Sequence, residues 1–229
     1  STDGDVFLKQ GVCGHRTAVV VAHGNIHTRY AEQATLIAGN DILIDVGTLH
    51  STLIAGRAVI ANQAKAKIIG GSTTAGELVE TKQLGGQGNF VTEITVGRSK
   101  QTMEALGELD QVAAHTLLRK QQTIELAEQI QRAVGDVTRL DDDERKVYIQ
   151  LRQVQLHCEI ELRHLAEQKD HLLAEDDAST RGIVKVHGQL MPAVTFRMRN
   201  RSLETKTNHT HCRVVYHEGS NRILVLPLR

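Results

Sequence analysis

Through the first third of the chain, apolar residues come in short touches. Ile37-Ala38-Gly39, Ile54-Ala55-Gly56, Ile69-Gly70-Gly71 and Leu84-Gly85-Gly86 recur with glycine-to-glycine spacings of 17, 15 and 15, and Val21-Ala22-His23-Gly24 lies 15 residues before the first. Two or three positions after the glycine a further aliphatic residue follows, as at Ile26, Ile42 and Val59. Two touches per unit, separated by polar positions, predict short strands joined by tight turns, with one unit per coil of a β-helix. Equivalent residues of successive coils stack about 4.8 Å apart, so inward Ile and Leu form ladders and glycine serves the turns. Of Leu36-Ile37, Leu53-Ile54 and Ile68-Ile69, one member of each pair is expected in the lumen, with Leu84 continuing a ladder. The six-residue aliphatic beat of a left-handed hexapeptide helix is absent.

From 99 to 177 the chain turns to Gln, Glu, Arg, Lys and Leu, without proline. Leu109, Ala113, Thr116, Lys120, Thr123, Ala127, Ile130 and Val134 alternate by four and three. So do Val147, Leu151, Val154, Cys158, Glu161, Leu165, Gln168 and Leu172. This spacing predicts two helices meeting along a coiled-coil seam, made imperfect by its polar members. Asp141 with Glu144 has the form of a capping box opening the second helix. Antiparallel helices return the chain to its departure point, which places Gly97 near Gly182. A helix of about 35 residues is about 50 Å long, so the hairpin is expected to project beyond the β body. Strands resume at Ile183-Val184-Lys185-Val186, 194–198, 212–216 and 222–226, where they can cover an end or flank of the β-helix. The expected organisation is β-helix coils over 1–98, a helical hairpin insertion over 99–177 and a C-terminal β segment over 178–229.

Charge and composition narrow the function. Lys plus Arg equal Asp plus Glu at 27 each, leaving no field to attract nucleic acid or an anionic membrane. Aromatics are 3% with no Trp, which removes the usual stacking platforms for bases and sugars. Cys13, Cys158 and Cys212 form no disulfide framework or metal-binding spacing and fit a reducing cytoplasm. No apolar run reaches the length of a membrane span. Opening on Ser1, the sequence reads as a C-terminal piece of a longer protein.

Several stretches resemble one bacterial family. They are 30–42 (Tyr30 to Ile42), Ile68-Ile69-Gly70-Gly71, Thr92-Glu93-Ile94-Thr95-Val96-Gly97, and Gly182-Ile183-Val184-Lys185-Val186-His187-Gly188 followed by Met191-Pro192. In this order they resemble the flagellar assembly protein A family, β-helix proteins with a coiled-coil insertion. Pro192-Ala193 stands where the family commonly has Pro-Gly. The resemblance implies a mainly β fold with an α insertion. Its parts are a right-handed parallel β-helix of short coils, a long antiparallel helical hairpin and C-terminal strands completing the β body. It also implies a further N-terminal domain and a role in flagellar assembly, motility or their regulation, with a protein partner of the flagellar or polar-localisation machinery. It supplies no catalytic motif.

The chemistry-bearing residues have structural readings beside the functional ones. His209-Thr210-His211-Cys212 is the densest set of metal-ligand types, but in a regular strand Cys212 faces away from His211 and no fourth ligand is near in sequence. His157, His164 and His171 recur every seven residues, about 10 Å apart, too far for one ion. Asp141, Asp142, Asp143 and Glu144 suit a helix N-terminus. No GxSxG, phosphate loop or HExxH occurs. The expectation is a non-enzymatic, cytoplasmic interaction scaffold without metal or cofactor. Partner contact, or self-association through the hairpin, is expected around Val137, Arg139, Leu140 and Tyr148 at the hairpin's outer end. Two competing classes are a polymer-forming cytoskeletal β-helix and a polysaccharide-acting β-helix enzyme.

Overall fold

The computed structural model describes residues 2–88, 90–134, 141–175 and 182–228. It holds two compact units, Ser1–Met103 with Glu175–Arg229, and Glu104–Ala174.

The first unit is a β-solenoid. β1 (Val6–Leu8), β2 (Val12–Cys13) and β3 (Val19–Ala22) go once round the axis, and β4 (Ile26–Glu32) with β5 (Thr35–Ala38) lie parallel on them. β6 (Asp41–Ala55) rounds its coil as one strand whose backbone turns at Gly47 and His50, with φ of 149° and 49°. β7 (Ala58–Ala61) and β8 (Lys67–Ala75) follow, then β9 (Leu78–Leu84) and β10 (Thr92–Val96), each parallel to the coil before.

Alternation along these strands builds the core. Leu36, Leu53, Thr73, Ile94 and Phe196 stand on one another in register, and all are buried. Ile26, Ile42, Val59, Val79, Val184 and Val214 form a second buried ladder. Each large aliphatic side chain buried this way contributes about 1.5–3 kcal/mol. Ile37, Ile54 and Ile69 face outward and are half-buried, whereas Leu36, Leu53, Ile68 and Leu84 face in, as the alternation predicts.

The repeat register differs from the glycine spacing. Ile37-Ala38-Gly39 does stack on Ile54-Ala55-Gly56, but the next layers of that corner are Thr74-Ala75-Gly76 and Thr95-Val96-Gly97, giving steps of 17, 20 and 21. Ile69-Gly70-Gly71 belongs to another corner, above Leu49, His50 and Ser51. The step to Gly76 lengthens because a turn over 62–66, closed by Ala66 N donating to Gln63 O at 2.9 Å, enters between β7 and β8, and the next step contains the longer connection from β9 to β10. Close approach of the layers fixes the shared corner. A Cβ at Gly56 would lie 2.0 Å from Gly39 O, and one at Gly76 would lie 2.2 Å from Gly56 O.

Beyond the helices, the chain returns to the same stacks. β11 (Ile183–Leu190) lies parallel on β9, and β12 (Val194–Met198) lies parallel on β10, so these strands add a coil. A Cβ at Gly182 would lie 2.4 Å from Gly97 N, which confirms the expected closeness of these two glycines. Three antiparallel strands then finish the stacks. β13 (Arg201–Glu204) pairs with β12, β14 (His209–His217) with β11, and β15 (Arg222–Pro227) with β14.

The second unit is a pair of helices, α1 (Lys100–Val134) and α2 (Asp142–Glu175). Ion pairs Asp110–Lys169 and Lys120–Glu159, the latter at 2.9 Å, tie the helices in antiparallel register. Thr116, Ala127, Cys158 and Leu165 of the expected seam are buried, and most of its other described members are half-buried. Val147 and Gln168 are exposed instead, while Gln155 is buried beside the seam with its Nε2 lacking a hydrogen-bond partner.

Candidate interaction surfaces

Of the four contact candidates, Val137, Arg139 and Leu140 lie outside the described residues. Tyr148 lies near the start of α2 and is half-buried. Its hydroxyl accepts hydrogen bonds from Arg152 Nε (3.2 Å) and Nη2 (3.0 Å), and the guanidinium carbon stands 5.3 Å from the ring centroid. One turn of helix separates the two residues, so the pair forms wherever α2 forms. Tyr148 thus packs on Arg152, while residues 144–147, 149 and 150 beside it are exposed.

The start of α2 owes its order to its acidic run. Asp141 Oδ1 accepts from the N–H groups of Asp143 (3.0 Å) and Glu144 (2.7 Å), and Glu144 Oε2 accepts from Asp141 N–H at 3.2 Å. This reciprocal capping box satisfies donors that a helix start leaves unpaired. The carboxylates thus have a structural use. His157, His164 and His171 are exposed along α2.

On the β unit, Cys212 turns into the core while His211 is exposed, so the two do not converge, and burial pushes the Cys212 thiol pKa up. Among the described residues, no three His, Cys, Asp or Glu side chains come together as a metal site would require. Several carboxylates of this unit are engaged by neighbouring coils. Asp41 receives Arg57 Nε at 2.9 Å, Glu80 Oε1 lies 2.7 Å from His187 Nε2, and Asp45 Oδ1 lies 3.2 Å from His27 Nε2. Burial raises the Glu80 carboxyl, but hydrogen bonds to His187 and Asn62 outweigh it and hold its pKa below the usual glutamate value.

A polar surface not anticipated from sequence lies around the turn Glu218–Ser220 between β14 and β15. On one side, Arg199 lays its guanidinium 4.6 Å from the Tyr216 ring centroid and donates to Glu218 Oε1 at 3.2 Å. Arg199 is a non-glycine residue at φ 51°, so the tight β12–β13 turn holds it in a costly conformation. On the other side, Arg201, Ser202, Leu203, Ser220, Asn221 and Arg222 line a recess of about 440 Å³. Asn221 Oδ1 accepts from Tyr216 OH (2.6 Å) and Arg201 Nε (3.2 Å), linking both sides. Local charge was the available signal: residues 182–229 carry eight Lys and Arg against two Asp and Glu, while residues 1–99 carry eight of each.

Stacked parallel coils, an inserted pair of long helices and an antiparallel finish define a β-solenoid protein with an α-helical insertion. The chain belongs to the flagellar assembly protein A family, whose beta solenoid domain matches residues 1–221. No curated protein and no solved structure matches the chain significantly. Among the described residues, no helix is long and apolar enough to cross a membrane.

Proposed function

We propose that this chain is a non-enzymatic scaffold or regulator of flagellar assembly and motility, acting in the cytoplasm through protein–protein contacts. The observation that carries this reading is the family match over residues 1–221, in a family described by flagellar assembly. The helical unit supports the contact mechanism. Ile149, Leu156 and Ile160 are 49%, 59% and 45% exposed. Their spacing of seven and four places them on one face of α2, turned away from buried Cys158. Tyr148, packed against Arg152, is the described member of the expected contact set. Engaged carboxylates on the solenoid, such as Asp41 and Glu80, weigh against a polysaccharide-cleaving groove.

Complementation tests the reading. In a flagellated host whose own copy is disrupted, the full chain should restore swimming. A chain with Gln101–Ala174 replaced by a short glycine linker should not, although its solenoid still melts cooperatively. Undiminished swimming without the helices removes them from the function. Normal flagella after disruption of the host copy removes the flagellar role altogether.

A further inference from the structure

The recess beside the Glu218–Ser220 turn is lined partly by residues that serve the turn, Ser220 N–H donating to His217 Nδ1 and Asn221 capping its end, and partly by two arginines. It carries two guanidinium groups, two hydroxyls and one amide, with no carboxylate in its lining. Arg201 is oriented through its Nε by Asn221 Oδ1, and among the described residues neither it nor Arg222 pairs with a carboxylate. Leu203 and Ile223 give the recess an apolar floor, Ile223 being buried and Leu203 half-buried.

The sheet path ends at this place. β13 pairs only with β12 and β15 only with β14, so among the described residues each keeps one free backbone edge. The two strands approach within 8 Å (Cα to Cα) without pairing. Free strand edges can pair with extended chains, and arginines without a carboxylate partner can donate to carboxylates, in the best case bidentately.

We propose that this rim, formed by Arg201 and Arg222 with Ser202, Ser220 and Asn221, is a docking site for an extended acidic segment of a protein partner. The proposal deepens the scaffold reading and rests on it, by naming the chemistry of what is held. Charge complementarity selects an acidic peptide. Nucleic acid is disfavoured because binding a polyanion draws on a broad positive field and stacking platforms, whereas the whole chain is neutral and the nearby Tyr216 ring is covered by Arg199. The acidic run of a second copy is less suited, since Asp141 and Glu144 are committed to capping α2 and lie on a helix rather than an extended segment.

The test is fluorescence anisotropy of a labelled octapeptide of alternating Asp and Glu, titrated with the full chain at low salt. Binding should weaken with added salt and fall by about tenfold or more in the Arg201→Glu/Arg222→Glu double variant, while Arg163→Glu on α2 leaves it unchanged. The Arg201→Gln/Arg222→Gln variant, with thermal melting recorded beside it, separates lost binding from lost folding. Its melting should match the unmodified chain, and its peptide affinity should fall in the same direction.

No peptide binding, equal binding by the glutamine variant, or equal affinity for a Ser/Gln octapeptide overturns the proposal. So does tighter, rim-dependent binding of a single-stranded oligonucleotide of matched charge. Concentration-dependent dimerisation abolished by the double variant assigns the rim to a second copy instead, and equally overturns it. The scaffold reading is judged separately by complementation, so an unbound peptide with helix-dependent swimming removes the rim alone.

Discussion

Along the solenoid axis, Leu36, Leu53, Ile94 and Phe196 are fully buried in one ladder, interrupted only by the small Thr73 between Leu53 and Ile94. Between α1 and α2 the buried positions are Leu106 and Leu165 together with the smaller or polar Thr116, Ala127, Gln155 and Cys158, with Lys120 half-buried, while Leu117, Leu118, Leu126 and Leu156 face solvent. The two units therefore bury very different side chains per residue ordered. Ordering a residue costs about 1–2 kcal/mol of backbone entropy, and a large aliphatic side chain offsets that where a Thr or Ala does not. The solenoid can set its own stability. The helices order themselves with little surplus and leave apolar surface uncovered, which is the condition under which a partner gains most by binding.

Substitutions that exchange these conditions should expose the difference. Leu53→Asp buries an unpaired charge in the ladder and should cost more than about 4 kcal/mol, abolishing the cooperative thermal transition followed by circular dichroism. Ile54→Asp, one residue along and facing outward, should only lower the midpoint. Equal effects at the two positions would remove the inward and outward assignment. Gly56→Ala should cost about 1–3 kcal/mol, because the new methyl meets Gly39 O at 2.0 Å and the layers must part; denaturant titration reads it.

In the helical unit, the sign reverses. Gln155→Leu removes a buried amide nitrogen without a partner, against the loss of the hydrogen bond its Oε1 accepts from exposed Arg152 Nη1 (3.1 Å), and should stabilise the helices by up to about 1 kcal/mol, seen as slower amide exchange in α1 and α2 only. A weaker effect concerns acid. Glu80 has a folded pKa below its ordinary value of 4.5, so its contribution is complete above that pH and is lost as pH falls through the folded value. Glu80→Gln should therefore reduce stability near neutrality and flatten its loss in acid. The Lys120–Glu159 pair, exposed on the glutamate side, should show little or no coupling in a double-mutant cycle.

Much of this was legible because it depends on local periodicity. One inward member in each of the pairs Leu36-Ile37 and Leu53-Ile54, the seam through Thr116 and Cys158, and the Asp141–Glu144 box follow from alternation or from three-and-four spacing, though which member of each pair faces in does not. The glycine triplets misled at Gly71 and Gly86. Any corner with a close approach accepts glycine, and the true successor of Gly56 is Gly76, preceded by Thr74 rather than an isoleucine. The rim was hidden for a different reason. Arg201 and Arg222 are distant in sequence and meet only because β13 and β15 both end the sheet path, and the chain's zero net charge conceals a basic last segment. A charge count by segment would have drawn attention to it.

Hydrogen exchange of the full chain under native conditions, read by mass spectrometry on peptides from both units of one sample, separates their stabilities directly. Peptides from β5, β6 and β10 should exchange only through global unfolding, while those from α1 and α2 open at lower free energy and gain protection with Gln155→Leu. Helical peptides protected as strongly as the ladder strands would contradict an autonomous solenoid carrying a marginal, partner-ready pair of helices.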